Sequence, residues 1–150
     1  MSGCVEHMAL FIPGEPVAKA RPRVMRNGHA YTPKKTEDAE RNIRAAWIGK
    51  YGDRPADHPV EMRIEFVYEI PKSWSKKKKM WASTGVISKT SRPDIDNLVK
   101  TVMDALNGIA YVDDSLIRRV EASKRYKREH ELNEGTYLVL SVCGDVKEEQ

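Results

Sequence analysis

Between Pro93 and Gly108 the apolar residues Ile95, Leu98, Val99, Val102, Met103 and Leu106 recur three and four apart, on one face of an α-helix. Pro93 disfavours helix at the residue before it and Asn107-Gly108 is a C-terminal stop, so both ends of this helix can be read from the chain. A helix with one apolar face must bury it against another layer, which restricts the fold to a small set of packed architectures. The same segment carries Asp94, Asp96 and Lys100, and a second acidic pair, Asp113-Asp114, follows the stop. Carboxylates that end up close together repel one another and stay ionised only beside a cation, and oxygen-only ligands favour Mg²⁺ or Mn²⁺ over zinc. In a chain of net charge +4, such a site suggests phosphodiester chemistry on nucleic acid.

The layer that receives the helix is read from alternation. Val60, Met62, Ile64, Phe66, Tyr68 and Ile70 alternate with Glu61, Arg63, Glu65 and Glu69, which predicts a half-buried strand over 60–70. Met8 to Ile12, ended by Pro13-Gly14, predicts another; Ile117 to Tyr126 and Tyr137 to Val142 predict two more, joined as a hairpin through the polar 129–135 stretch. Thr36 as N-cap, Glu37 and Asp38 in the first turn, and Ile43, Ala46 and Trp47 at helical spacing predict a helix to about Lys50. Asn27-Gly28 marks the tip of a basic hairpin, a short helix is expected from the basic segment after Pro71 to Trp81, and the polar 83–91 stretch reads as mobile. The expected fold is α/β (α+β): one domain over 1–150 with a mixed sheet of about four or five strands and two main helices packed on it.

At 150 residues the chain can bury a core of its own. The chain need not borrow stability from disulfides: Cys4 and Cys143 show neither Cys-x-x-Cys nor zinc spacing, and nothing resembles a signal peptide, so a reducing, cytoplasmic setting is expected. No apolar run approaches the roughly 20 residues of a membrane helix, and no membrane partner is expected.

Asp94 and Asp96 fall where the chain turns from extended to helical. An i, i+2 pair can converge on one ion while the segment is still extended, and the unpaired N–H groups of a helix mouth favour negative charge. The competing reading is ordinary: Asp is a common N-cap, and Asp96 with Lys100 is an i, i+4 ion pair worth roughly 0.3–0.5 kcal/mol. Asp113-Asp114 has its own ordinary reading as a turn. Lys100 is suited to hold a scissile phosphate. In Lys19-Ala20-Arg21-Pro22-Arg23 the cations recur every second residue, so an extended chain would point them to one side as a clamp on the DNA backbone; Arg26, Lys34 and Lys35 could extend it. Lys76 and Lys77, in the lysine run between Trp74 and Trp81, could lay further charge on phosphates, or could be solvated lysines over packed indoles. The four histidines have no metal spacing, and no nucleophile elbow or Walker loop is present.

These motifs together resemble the RusA family of Holliday junction resolvases. The resemblance runs over Ile12-Pro13-Gly14, Pro16 to Arg23, Tyr31 to Thr36, Pro71 to Trp74, Arg92-Pro93-Asp94-Ile95-Asp96-Asn97-Leu98-Val99-Lys100, Asp104 to Gly108 and Tyr111 to Ser115. It implies a small homodimeric endonuclease, bacterial or prophage-encoded, that uses Mg²⁺, with Mn²⁺ as a substitute, to nick opposing strands of a four-way DNA junction. It further implies that Asp94, Asp96 and Asp114 are metal ligands with Asp113 as a helper, that Lys100 is needed for cleavage, and that Lys19, Arg21 and Arg23 bind phosphate. The rivals are a metal-dependent nuclease acting on flaps or other branched DNA, which would use the same carboxylates, and a non-catalytic junction-binding module.

Overall fold

The computed structural model of the chain describes residues 3–144. Its centre is strand β4 (Val60–Tyr68), in which Val60, Met62, Ile64, Phe66, Val67 and Tyr68 are buried. The alternating face sits in the core, and the buried Val67 shows that the far end of the strand is covered on both sides. Antiparallel to β4 lies β6 (Gly135–Cys143), and antiparallel to β6 on its other side lies β1 (Cys4–Pro13). Strand β5 (Ile117–Tyr126) pairs with β4 in parallel and forms the opposite edge, giving the order β1-β6-β4-β5. The expected hairpin between the last two strands is therefore wrong: β5 and β6 are separated by β4. Composition explains this. The run Tyr137-Leu138-Val139-Leu140 suits an interior strand, whereas β5, with Arg118, Arg119, Glu121 and Lys124, carries the charge that an edge tolerates.

Two helices cover one face. Helix α1 (Lys34–Tyr51) buries Thr36, Ile43 and Trp47, and α3 (Ile95–Leu106) buries Leu98, Thr101, Val102, Ala105 and Leu106. The bounds of α3 are those its apolar spacing predicts. Helix α1 begins three residues earlier than expected: Pro33 stands at the N-cap and Thr36 lies inside, its hydroxyl accepting the Ala20 N–H at 3.3 Å instead of capping. Proline fixes a φ compatible with entry into a helix and has no N–H to leave unsatisfied, so Pro33 can open the helix without a side-chain cap. A shorter helix, α2 (Lys76–Ser83), is capped by Ser75, whose hydroxyl accepts the Lys78 N–H. The basic hairpin forms as β2 (Arg23–Val24) and β3 (Ala30–Tyr31), and Gly28 takes the positive φ of +86° that its turn requires. Among the described residues this makes a four-stranded mixed sheet, a two-stranded ribbon and three α-helices, the α+β class expected.

The cysteines depart from expectation. Cys4 and Cys143 face each other across β1 and β6 and are joined by a disulfide that spans 139 residues of sequence. Spacing along the chain could not show this, because the pairing is created by the sheet. The 83–91 stretch, read as mobile, is anchored: the Ile87 N–H bonds the Trp81 carbonyl, and Lys89 is buried against Tyr68. No helix among the described residues is long and apolar enough to cross a membrane.

Candidate active site around helix α3

Asp94 is the N-cap residue of α3, with extended backbone (φ −71°, ψ 141°), and its side chain makes no capping hydrogen bond. Asp96 lies in the first turn, and Lys100 and Asp104 follow it at successive i+4 positions, so the three share one stripe of the helix. Asp94, Asp96 and Lys100 are exposed. Neither Asp94 nor Asp96 makes a side-chain hydrogen bond or ion pair among the described residues, and the ordinary Asp96–Lys100 pair is not formed.

The other two acidic positions on and after α3 are committed to the protein. Asp104 accepts an ion pair from Lys19 Nζ at 3.2 Å, and the same ammonium also pairs with Glu40 of α1. Burial pushes the Lys19 pKa down, and Glu40 and Asp104 more than reverse this, leaving it above the ordinary lysine value. Asp113 caps the short 3₁₀ turn Asp114–Leu116, its carboxylate accepting the Ser115 N–H at 3.0 Å; the Ser115 side chain first, and this backbone bond second, hold its pKa below the ordinary range. Asp114, by contrast, is exposed and has no side-chain partner among the described residues. It and Asp104 both raise the pKa of the Tyr111 hydroxyl, which burial has already pushed well above the phenol range and which donates to the Met103 carbonyl at 2.6 Å.

The structure does not gather Asp94, Asp96 and Asp114 tightly. Among the described residues the group of acidic, histidine or cysteine side chains whose ligand atoms all lie within 4.8 Å of one another is Cys4, Glu61 and Cys143. That group is not a metal centre in this state, since its sulfurs are bonded to each other and Glu61 is paired with Arg118 at 3.5 Å.

Of the basic candidates, Lys19 points inward to Glu40 and Asp104 rather than out to a ligand, which corrects its placement beside Arg21 and Arg23 on one exposed edge. Its role is a tether. The Lys19 N–H donates to the Asn97 carbonyl of α3 at 2.8 Å and the Ala20 N–H reaches Thr36 of α1, so the segment that leads into Arg21, Arg23 and Arg26 is tied to α3 at the residue after Asp96. Those three arginines are exposed. Lys34 and Lys35 form the first turn of α1 instead of a loop before it, and Lys35 borders a cleft of about 280 Å³ between α1 and α3. Lys76 is exposed at the start of α2, whereas Lys77 lies 4.9 Å from the centre of the Trp81 ring and Lys78 3.9 Å from that of Trp74. Sequence reading missed Glu40, Lys89 and Lys124, all of which bear on α3. Each is a charged residue in a stretch whose local pattern looks solvated.

The family model described as Endodeoxyribonuclease RusA matches residues 13–133. The chain belongs to the RusA family. The match takes in the ribbon, α1, α3 and both acidic segments. A relative from Bacillus subtilis (strain 168), named uncharacterized protein YqaN, is 39% identical over 121 residues, covering 77% of this chain and 85% of that protein. A second, the crossover junction endodeoxyribonuclease rusA of Lactococcus phage r1t, is 40% identical over 67 residues, 44% of each chain. As a RusA-family member the protein is an endodeoxyribonuclease, a hydrolase of phosphodiester bonds.

Proposed function

We propose that this RusA-family endonuclease resolves four-way DNA junctions by paired symmetric nicks, using a divalent cation and acting as a homodimer. One observation carries the reading: around α3 the charged groups divide into those with protein partners, Asp104 and Asp113, and those with none among the described residues, Asp94, Asp96, Asp114 and Lys100. Capping and ion pairing account for the first set and leave the second without a structural role. The donor set fits a hard cation, since carboxylate oxygens alone are offered and each is exposed. Asp94, Asp96 and Asp114 would hold Mg²⁺ or Mn²⁺, with Asp113 contributing at most through its second oxygen. Bound there, the cation supplies charge neutralisation at the scissile phosphate and acidifies the attacking water.

The chain's own groups do the rest. Lys100 presents an ammonium that no carboxylate among the described residues neutralises, one turn beyond Asp96, where it can donate to a phosphate oxygen and to the departing 3′ oxygen as negative charge develops. Arg21, Arg23 and Arg26 grip backbone phosphates, and the Lys19 tether keeps that grip in fixed relation to Asp96. Lys34, Lys35, Lys76 and Lys77 extend the contact with less geometric constraint. A junction offers two equivalent strands, and a two-fold dimer places one site on each. The name of the phage relative supports this substrate class.

The test is cleavage of a labelled four-way junction beside duplex, nicked and flap controls, with Mg²⁺ or EDTA, for the native protein, Asp96→Asn and Lys100→Met. We expect paired nicks on the junction, lost in EDTA and in Asp96→Asn while junction binding persists. Lys100→Met should slow cutting by about 100- to 1,000-fold with unchanged binding. Equal cutting of flaps would make this a general branched-DNA nuclease, and binding without cutting in Mg²⁺, or in Mn²⁺ put in its place, would make it a junction-binding module.

A further inference from the structure

Two lysines far apart in sequence converge on the loop that delivers Asp94. Lys89, in the segment between α2 and α3, is only 9% exposed, with its ammonium 4.7 Å from the centre of the Tyr68 ring. It donates to the Ser91 hydroxyl and to the Arg92 carbonyl at 2.8 Å, and more weakly to the Ser91 carbonyl at 3.4 Å. Lys124, on the edge strand β5, donates to the carbonyls of Ser91 and Pro93, each at 2.8 Å. Three consecutive carbonyls, 91 to 93, are thus turned towards two ammonium groups that share the Ser91 oxygen.

This arrangement is not one that stability alone favours. Two cations side by side repel, and burying an ammonium is unfavourable unless its donors are satisfied. Burial first, and Lys124 second, lower the Lys89 pKa against the opposing pull of Glu15. An apolar side chain at either position would avoid both penalties, but it could not orient three peptide planes. On the C-terminal side, Asp94 is fixed by the first-turn bond from the Leu98 N–H to its own carbonyl at 3.2 Å. The lysines fix the N-terminal side, ending at the carbonyl of Pro93, the residue directly before it. Among the described residues Asp94 has no side-chain bond that would orient it otherwise. Groups one shell behind metal ligands commonly change metal affinity or activity by 10–100-fold when removed.

We propose that Lys89 and Lys124 are positioning residues of the cation site, holding the carbonyls of residues 91–93 so that the carboxylates of Asp94 and Asp96 meet one ion. They do not touch DNA or the reacting atoms. The proposal rests on the reading of Asp94 and Asp96 as cation ligands. Its test uses Lys124→Met, Lys89→Met and the milder Ser91→Ala, which takes away only the hydroxyl partner of Lys89. Three quantities are read: Mn²⁺ affinity of the DNA-free protein by electron paramagnetic resonance titration, the Mg²⁺ concentration for half-maximal junction cleavage, and junction affinity in EDTA. We expect Lys124→Met to weaken Mn²⁺ binding and raise the Mg²⁺ requirement by about tenfold or more. Ser91→Ala should move both in the same direction by less, with junction affinity in EDTA unchanged in each folded variant. Should Lys89→Met fail to fold, Lys124→Met and Ser91→Ala carry the decision. Unchanged Mn²⁺ affinity with weakened junction binding would make the lysines phosphate contacts, and a lowered melting temperature with no change in metal response would make them fold staples; either result overturns the proposal. Asp96→Asn, run in parallel, separates the levels: if it loses Mn²⁺ binding while the lysine variants do not, only this proposal fails, and if it keeps native Mn²⁺ binding, the reading beneath it fails too.

Discussion

Replacing Glu131 by Gln takes one negative charge out of a nearly closed site at the open end of β5. The Glu131 side chain is 5% exposed and accepts both terminal nitrogens of the Arg125 guanidinium, at 2.6 and 2.9 Å. It also accepts the Arg128 N–H at 2.7 Å and the Tyr137 hydroxyl at 3.0 Å. The Arg125 hydrogen bonds, opposed by burial and aided by the Arg128 and Tyr137 bonds, hold the Glu131 carboxyl at about 2, against an ordinary value of 4.5. At about 1.4 kcal/mol per pKa unit, that difference corresponds to roughly 3 kcal/mol of folding stability at pH 7. The direction follows from proton counting. Between pH 4.5 and 2 the unfolded chain carries the proton on Glu131 and the folded chain does not, so stability from this group is complete above about pH 5 and is lost as pH falls towards 2. Urea unfolding of the native protein and Glu131→Gln at pH 7, 5 and 3.5 should show a difference of roughly 3 kcal/mol at the first two values and about 2 kcal/mol at the third. Comparison with the variant cancels the other carboxylates. A difference below about 1 kcal/mol at pH 7, or one that does not change with pH, would refute the assignment of the pair as a desolvated, charge-assisted contact.

The basic ribbon separates two kinds of lysine and arginine. Arg21→Ala and Arg23→Ala should weaken junction binding and each reduce the slope of log affinity against log salt by about 1, measured by fluorescence anisotropy. Lys19→Met should leave that slope unchanged and lower the melting temperature, because its ammonium is spent on Glu40 and Asp104. The disulfide gives a third expectation. With its cysteines 139 positions apart in sequence, Cys143→Ser should reduce unfolding free energy by about 2–4 kcal/mol under non-reducing conditions, and thiol titration of the unfolded native chain before reduction should find no free sulfhydryl.

How much could be read in advance depended on whether the determining contact was local. Helix α3 was legible to the residue because its apolar period is unbroken and a proline and an Asn-Gly step stand at its two ends. The places of Asp94, Asp96 and Lys100 on that helix were legible for the same reason, as positions counted along one short segment. Strand order was not: the polar 129–135 stretch looks like a turn, yet it contains Glu131, which folds back on Arg125 and Tyr137 while the chain crosses past β4 to the interior of the sheet. The supporting groups were hidden by the same ambiguity. Lys19 reads as one of three evenly spaced cations, Lys89 as part of a solvated loop and Lys124 as one of several charges on an edge strand, and nothing in the neighbouring residues says which ammonium turns inward. What distinguishes them is a group distant in sequence: Glu40 for Lys19, the Tyr68 ring that covers Lys89, and the carbonyls before Asp94 for Lys124. A carboxylate cluster with i, i+2 spacing can be recognised from sequence. The cations that set its geometry become visible only when the sheet and helices have brought distant segments together, so variants chosen from the motif alone would leave the positioning of the site untested.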